Sequence, residues 1–156
     1  MKAIDSFLPT KKAQELYDFL VNKFELKNYR SINCYDSDRD LLEILDHQDI
    51  SHNVFNNKEP YQLIINSFQK YCRCLGPHKL SKKIFRTLFL SPNPFQGGDL
   101  YFPNEDWEPD STALGPYKKF EAAHNKLIIG NSQSQRFMSQ IFDSTDPLII
   151  LTLDTA

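Results

Sequence analysis

The sequence has little glycine and proline, no excess of positive charge and no long apolar run. Five glycines and nine prolines in 156 residues are too few for a fibrous chain. A formal charge of −2 is too close to neutral for a protein that holds nucleic acid by bulk charge. The apolar run Leu148–Leu151 is far shorter than the ~20 residues of a membrane span. With 40% hydrophobic residues, the chain is expected to form a single globular domain, residues 1–156.

The N-terminal segment has no signal peptide, because charged residues and a proline interrupt every apolar stretch. The three cysteines cannot form a complete set of disulfides. Cys72 and Cys74 are separated by one residue, and such a pair rarely has the geometry of a disulfide. We therefore expect reduced thiols, a cytoplasmic location and no association with membranes.

The first half of the chain has the apolar spacing of amphipathic helices. In the first of them, Ala13, Leu16, Tyr17 and Leu20 share one face, and Thr10 can cap the N-terminus. Later segments repeat this pattern. One of them begins at Pro60 and is followed by the pair Gly76-Pro77. The predicted helices are 10–25, 38–46, 60–75 and 81–90.

The second half changes to short apolar runs bounded by turn residues, which is typical of strands. The predicted strands are 100–102, 127–129, 136–142 and 148–153, with one or two helical turns within 117–124. The last two strands are expected to form an antiparallel hairpin. Helices followed by strands indicate an α+β fold, in which N-terminal helices precede a small antiparallel β-sheet.

Charge is unevenly distributed along the chain. No acidic residue lies between Glu59 and Asp99, and this stretch includes the basic segment 79–86, predicted to be helical. A block of acids around the single tryptophan follows. A charged loop with an aromatic anchor favours association with an oppositely charged protein surface. The predicted partner-binding residues are Asp99, Glu105, Asp106, Trp107, Glu108 and Asp110. The alternatives are that the two blocks neutralise each other, or that the basic segment is the binding face.

We find no motif for catalysis, for a metal or for a cofactor. Cys72, Cys74 and His78 lack the spacing of a structural zinc site. His47 and His52 are five residues apart, which does not place both on one helical face. Nucleophile and phosphate-loop motifs are also absent from the sequence. The expectation is therefore no catalytic residue, no bound metal and no cofactor.

Five segments of the second half occur in an order that resembles the SUKH superfamily. A short helix is followed by a glycine-containing turn, a strand, a strand ending in Ile-Gly and a strand near the C-terminus. The residues that carry this resemblance are Leu80–Leu90, Asn93 with Gly97 and Gly98, Asp99–Phe102, Lys126–Gly130 and Asp146–Ile150. The resemblance covers residues 78–153 and implies an α+β fold with a non-enzymatic binding role, as an immunity protein or an adaptor.

The main interpretation is therefore a non-enzymatic protein-binding domain whose acidic loop contacts a partner with a basic surface, such as a toxin. Nucleic acid is not an expected partner, because the chain is not basic overall and no recognition motif accompanies the basic segment. The alternative is a small enzyme or ligand-binding domain whose site is assembled from residues distant in sequence.

The spacing of the cysteines predicts that they are structural. Elemental analysis of the purified protein is expected to show no stoichiometric zinc, and Cys74→Ser should leave the metal content unchanged. One tightly held zinc ion per chain, lost in the Cys74→Ser variant, would contradict this prediction.

Overall fold

The computed structural model describes residues 1–24, 30–34, 50–59, 61–68, 75–78, 84–103, 117–131, 136–139, 143–144, 146 and 148–155. These residues form one α-helix, α1 (Thr10–Phe24), one π-helical turn (Ile50–Val54) and twelve strands. The strands are β1 (Lys2–Ile4), β2 (Arg30–Cys34), β3 (Tyr61–Phe68), β4 (Leu75–His78), β5 (Ile84–Leu90), β6 (Phe95–Gln96), β7 (Leu100–Pro103), β8 (Tyr117–Phe120), β9 (Lys126–Asn131), β10 (Arg136–Met138), β11 (Asp143–Ser144) and β12 (Leu148–Thr155).

The described strands form two main sheets, and every pairing is antiparallel. The six-stranded sheet has the order β1-β9-β5-β12-β3-β2, and the four-stranded sheet has the order β4-β10-β7-β8. Strands β6 and β11 form a separate two-stranded ribbon. The chain crosses repeatedly between the two main sheets, so neighbouring strands are mostly distant in sequence. This is the arrangement of a jelly-roll barrel.

Each face of the six-stranded sheet is covered by a different layer. On the outer face, α1 and the π-helical turn contribute Ala13, Leu20 and Ile50 to a core that includes Leu88 and Leu151. On the inner face, residues of β5, β9 and β12 pack against β7 of the four-stranded sheet. The inner core, which lies inside the barrel, comprises Phe85, Phe89, Leu100, Phe102, Ile128, Leu148 and Ile150.

The predicted first helix is confirmed as α1. Ala13, Tyr17 and Leu20 are buried, as the helical spacing requires. The predicted second helix, 38–46, lies outside the described residues.

The predicted helices at 60–75 and 81–90 are wrong, because β3 and β5 occupy these segments. In β3, the buried residues Leu63 and Ile65 follow the two-residue period of a strand. In β5, successive residues from Thr87 to Leu90 are all buried, since the strand lies between the helical layer and the second sheet. An apolar run buried on both faces cannot be assigned to strand or helix by its spacing alone.

Several predictions for the second half are confirmed. Strands β7, β9 and β12 match the predicted segments, and β10 covers part of 136–142. The helical turns predicted within 117–124 are wrong, because β8 begins there. The predicted hairpin is also wrong: β10 pairs with β4 and β7, whereas β12 pairs with β3 and β5. Long-range pairing across the barrel overrides the local turn signal.

The α+β expectation of N-terminal helices followed by a small sheet is therefore wrong, and the described fold is mainly β-structure. The antiparallel character of the sheet is as expected. No helix in the described part of the chain has the length and apolar character that a membrane crossing requires. The cytoplasmic location stays a prediction.

The N-terminal segment is held to the barrel by Asn125, a buried residue in the turn before β9. Its Oδ1 accepts a hydrogen bond from the amide of Leu8 at 2.9 Å, and its Nδ2 donates to the Leu8 carbonyl at 2.7 Å. The backbone of Asn125 also contacts Phe7 and Phe89. Its φ of 61° lies in the left-handed region, which asparagine tolerates better than most residues.

Replacing Asn125 is expected to destabilise the fold. Asn125→Gly suits the backbone but leaves the buried amide and carbonyl of Leu8 without partners, which should lower the free energy of unfolding by about 2–4 kcal/mol. Asn125→Ala should cost more, because alanine is strained at this φ. Urea unfolding measures both effects, and Asn22→Ala on the exposed face of α1 is the control. Equal stabilities for the control and the two Asn125 variants would contradict the role of this contact.

Candidate functional site

Strand register defines two ends of the barrel. Ile84 of β5 pairs with Asn131 of β9 and with Thr155 of β12, so these residues lie at one end. Four residues separate Asn131 from Arg136, and five separate His78 from Ile84. Such short connections keep β4 and β10 at the same end. We call this the Arg136 end, and the opposite end, where β12 begins, the Leu148 end.

Aromatic side chains fill one side of the barrel interior. The rings of Phe85 and Phe102 stack across the two sheets with centroids 5.7 Å apart. Phe120 meets Phe102 edge to face, also at 5.7 Å. Gly130 makes room for this cluster, since a Cβ there would lie 2.8 Å from a ring carbon of Phe85. These rings and Gly130 therefore form an aromatic cluster between the two sheets.

A buried polar pair lies on the same inner face, beside this cluster. The hydroxyls of Thr87 and Thr152 are 3.3 Å apart and hydrogen-bonded. The two residues are 1% and 3% exposed. Thr152 lies between Leu151 and Leu153, which face the helical layer, so it occupies the inner face of β12. A hydroxyl can donate one hydrogen bond and accept two, so the Thr152 hydroxyl can bond to more than its partner in this pair.

Register places four further polar residues at the Arg136 end. Asp154 of β12 pairs with Gln62 of β3, two residues beyond Thr152 along β12. Arg136 of β10 pairs with His78 of β4 in the facing sheet. These positions come from four strands that are widely separated in sequence. The candidate site is this set of positions together with the threonine pair.

Position 136 lies beside an irregularity of the four-stranded sheet. A bulge between Arg136 and Met138 interrupts the regular pairing with β4. Bulges are over-represented at the rims of barrels and next to active sites.

Of the residues predicted to bind a partner, Asp99 is described, and it lies at the Leu148 end. Its Oδ1 accepts a hydrogen bond from the amide of Ala122 at 2.8 Å, and its Oδ2 is 3.7 Å from the Nζ of Lys119. Its backbone bonds twice with Ser139. Asp99 thus joins the ends of three strands, and its contact with a partner stays a prediction. The other predicted residues, Glu105, Asp106, Trp107, Glu108 and Asp110, lie outside the described part of the chain.

The described histidines lie at three separate places. His52 is exposed on the π-helical turn, on the helical side of the barrel. His78 ends β4 at the Arg136 end. The Nδ1 of His124 accepts a hydrogen bond from the amide of Ser91 at 3.0 Å, at the Leu148 end. Among the described residues, no three histidine, cysteine, aspartate or glutamate side chains gather where they could hold a metal ion.

Solved structures with a similar fold are oxygenases and hydroxylases. An oxidoreductase of the 2OG-Fe(II) oxygenase family from Burkholderia pseudomallei has a TM-score of 0.61 and 11% identity, over 97% of this chain and 82% of its own. A prolyl-4-hydroxylase from Pseudomonas putida has a TM-score of 0.63 and 12% identity, over 99% and 91%. A Trichoplax adhaerens prolyl hydroxylase, solved with a hypoxia inducible factor peptide, has a TM-score of 0.63 and 12% identity, over 98% and 81%.

No protein-family model and no curated sequence matches the chain. At 11–12% identity, the structural likeness establishes the fold alone. The chemistry has to be argued from this chain's own residues.

These comparisons correct the resemblance to the SUKH superfamily, which is wrong. The similar structures span nearly the whole chain, whereas that resemblance relied on short segments of its second half. The main interpretation, a non-enzymatic immunity or adaptor protein, is overturned with it. The alternative, a small enzyme or ligand-binding domain with a site assembled from distant residues, stays a hypothesis.

The described residues do not fit the iron that the names of these proteins imply. Non-haem Fe(II) oxygenases bind iron with two histidines and one carboxylate. Here the described histidines are too far apart to share one ion. The strand partner of His78 is Arg136, which cannot ligate a cation because it stays protonated. We therefore derive no step through iron.

Sequence reasoning did not find this site. In the sequence, His78 follows Cys72 and Cys74 without the spacing of a zinc site, and Arg136 begins a predicted strand. No motif links positions 62, 78, 136 and 154. A signal for the inner face of β12 was available, because Thr152 and Asp154 are polar alternate residues in an apolar run.

The buried environment of His124 predicts a pH-dependent contribution to stability. Burial lowers the pKa of His124 below its ordinary value of 6.5, so the unfolded chain binds this proton more tightly. The free energy of unfolding should therefore fall as the pH drops below about 6.5.

In His124→Asn, whose Oδ1 can still accept from Ser91, the loss between pH 7.5 and pH 5 should be smaller than in the native chain. Urea unfolding at both pH values is the measurement, and His52→Asn is the control for replacing one histidine. An unchanged loss in His124→Asn would contradict this assignment.

Proposed function

We propose that this chain is a small enzyme whose substrate binds inside the barrel at the Arg136 end. The observation that carries the proposal is the buried threonine pair inside the barrel, two residues along β12 from the polar position 154 at that end. Ligand sites are mostly apolar cavities with a few placed polar groups, and the mouths of β-barrels are common locations for them. The likeness to oxygenases and hydroxylases supports an enzymatic role for such a site.

The Leu148 end is a weaker candidate because its described polar groups serve the fold. Asn125 binds the backbone of Leu8, and Asp99 binds Ala122 and Lys119. His124 accepts from Ser91. Lys126 donates to the carbonyl of Glu121 at 2.9 Å and lies 3.7 Å from Asp5. Groups that already hold strands and turns together are poor ligands for a substrate.

The aromatic cluster and the threonine pair suggest distinct roles in binding. The rings of Phe85 and Phe102 exclude water and offer apolar contact. The hydroxyl of Thr152 can orient a polar group of the substrate at the depth of the inner core. The names of the similar structures suggest the first substrates to test, which are 2-oxoglutarate and proline-containing peptides.

The experiment measures turnover of these substrates, with and without added Fe(II), by mass spectrometry of the products. We expect turnover, with kcat/KM lowered about tenfold in Thr152→Val, which keeps the side-chain shape but removes one hydroxyl of the pair. Thr155→Val is the matched control. Thr155 is also buried on β12, but its hydroxyl accepts from Arg86, on the outer side of the sheet.

The control variant is expected to stay within about twofold of the native rate, since its hydroxyl faces away from the barrel interior. Equal losses in Thr152→Val and Thr155→Val would show that the effect is on stability and would contradict the site. The absence of turnover under all conditions would contradict the enzymatic proposal.

A further inference from the structure

Thr152 is almost completely buried, and its hydroxyl has unused hydrogen-bonding capacity. It is 3% exposed, and its one hydrogen bond among the described residues joins it to Thr87 at 3.3 Å. A hydroxyl can take part in three hydrogen bonds, one as donor and two as acceptor. Buried polar groups usually bond to a protein group, a water molecule or a ligand. The remaining capacity of Thr152 is therefore available to a ligand inside the barrel.

The side chains around the threonine pair are apolar. On the inner face of β5, Thr87 lies between Phe85 and Phe89, which both belong to the inner core. In the same row of the sheet, Thr87 pairs with Ile128 of β9 on one side and with Thr152 on the other. Phe85, Phe89 and Ile128 are completely buried. A charged group that reached this depth would lose its hydration, and these side chains offer no opposite charge to replace it.

The aromatic cluster lies between the Arg136 end and the threonine pair. Phe85 is two residues closer to that end than Thr87, and its ring stacks on Phe102 of the facing sheet. A ligand that enters from the Arg136 end therefore passes these rings before it reaches Thr152. Aromatic rings make favourable contacts with apolar groups, whereas a carboxylate would lose its water beside them.

We infer that the part of the ligand that reaches Thr152 is an uncharged ring or chain carrying one hydroxyl or carbonyl oxygen. This inference rests on the proposed function and names its substrate class. The oxygen bonds to the Thr152 hydroxyl, and the apolar part contacts the rings of Phe85 and Phe102. Of the two substrates suggested above, the proline residue of a peptide has this character, whereas 2-oxoglutarate carries two carboxylates.

The test uses three probes with the same ring: benzyl alcohol has a hydroxyl, toluene has no polar group, and benzoate has a charge. Each is titrated into the full chain, isotopically labelled at the isoleucine methyl groups, and followed by NMR. Ile128 and Ile150 belong to the inner core and Ile149 to the outer one, so the shifted signals locate the probe. We expect benzyl alcohol to shift the signals of Ile128 and Ile150 at millimolar concentration, and benzoate to bind at least about tenfold more weakly.

Thr152→Val removes the hydroxyl and keeps the side-chain shape. It should weaken the binding of benzyl alcohol about fivefold, the value of one hydrogen bond, and leave that of toluene within about twofold. Thr155→Val is the matched control, because Thr155 is also buried on β12 but bonds to Arg86 on the outer side of the sheet. It should leave both affinities within about twofold of the native values. If Thr152→Val fails to fold, Thr152→Ala replaces it, and Thr152→Ser should keep the preference for benzyl alcohol.

Three outcomes would overturn the inference. They are benzoate binding as tight as that of benzyl alcohol, equal losses for benzyl alcohol and toluene in Thr152→Val, and unshifted signals of Ile128 and Ile150 with benzyl alcohol. Turnover that depends on Thr152, together with tight binding of benzoate, would remove this inference and keep the proposed function. Selective binding of benzyl alcohol without turnover of any substrate would remove the enzymatic proposal and keep the ligand class.

Discussion

The fold depends on the pairing of β12 along its whole length with β3 on one side and β5 on the other. All eight residues from Leu148 to Thr155 have a partner in β3, and seven of them also have one in β5. This ladder satisfies the backbone hydrogen bonds of a strand that is buried on both faces, where an unpaired amide or carbonyl would be costly. Alternate residues of β12 then supply two cores, with Leu151 and Leu153 toward the helix and Leu148 and Ile150 toward the second sheet.

The same ladder sets the candidate site. Because side chains alternate along a strand, a shift of one residue would exchange the faces of Thr152 and Leu153. The pairing with β5 brings Thr152 opposite Thr87, so the two hydroxyls satisfy each other in the barrel interior. A polar pair is tolerated there because its partners are fixed by the register of two central strands. The position of the threonine pair in the interior thus follows from the arrangement that stabilises the sheet.

The fold of this protein resembles that of oxygenases and hydroxylases, but its described residues do not form an iron site. The chain shares its architecture with an oxidoreductase of the 2OG-Fe(II) oxygenase family and with prolyl hydroxylases over nearly its whole length. Its described residues nevertheless separate the histidines and bring an arginine beside His78. A barrel of this type holds its shape through apolar contacts between sheets, such as those of Phe85 and Phe102, and these do not depend on a metal ion. The fold can therefore be kept while the residues at one end of the barrel differ.

The sequence by itself determined the features that depend on local pattern. Helix α1 follows from the spacing of Ala13, Tyr17 and Leu20, and strand β12 follows from its apolar, β-branched run. The acid-free stretch around His78 is also a property of the sequence alone.

Only the tertiary structure decided which segments are buried on both faces and which strands become neighbours. Segment 84–90 has an apolar spacing compatible with a helix, and it becomes a strand because two layers cover it. The meeting of His78 with Arg136, 58 positions later, depends on strand pairing across the barrel. Local sequence patterns contain no information on such pairing, because it is selected by the burial of the complete barrel.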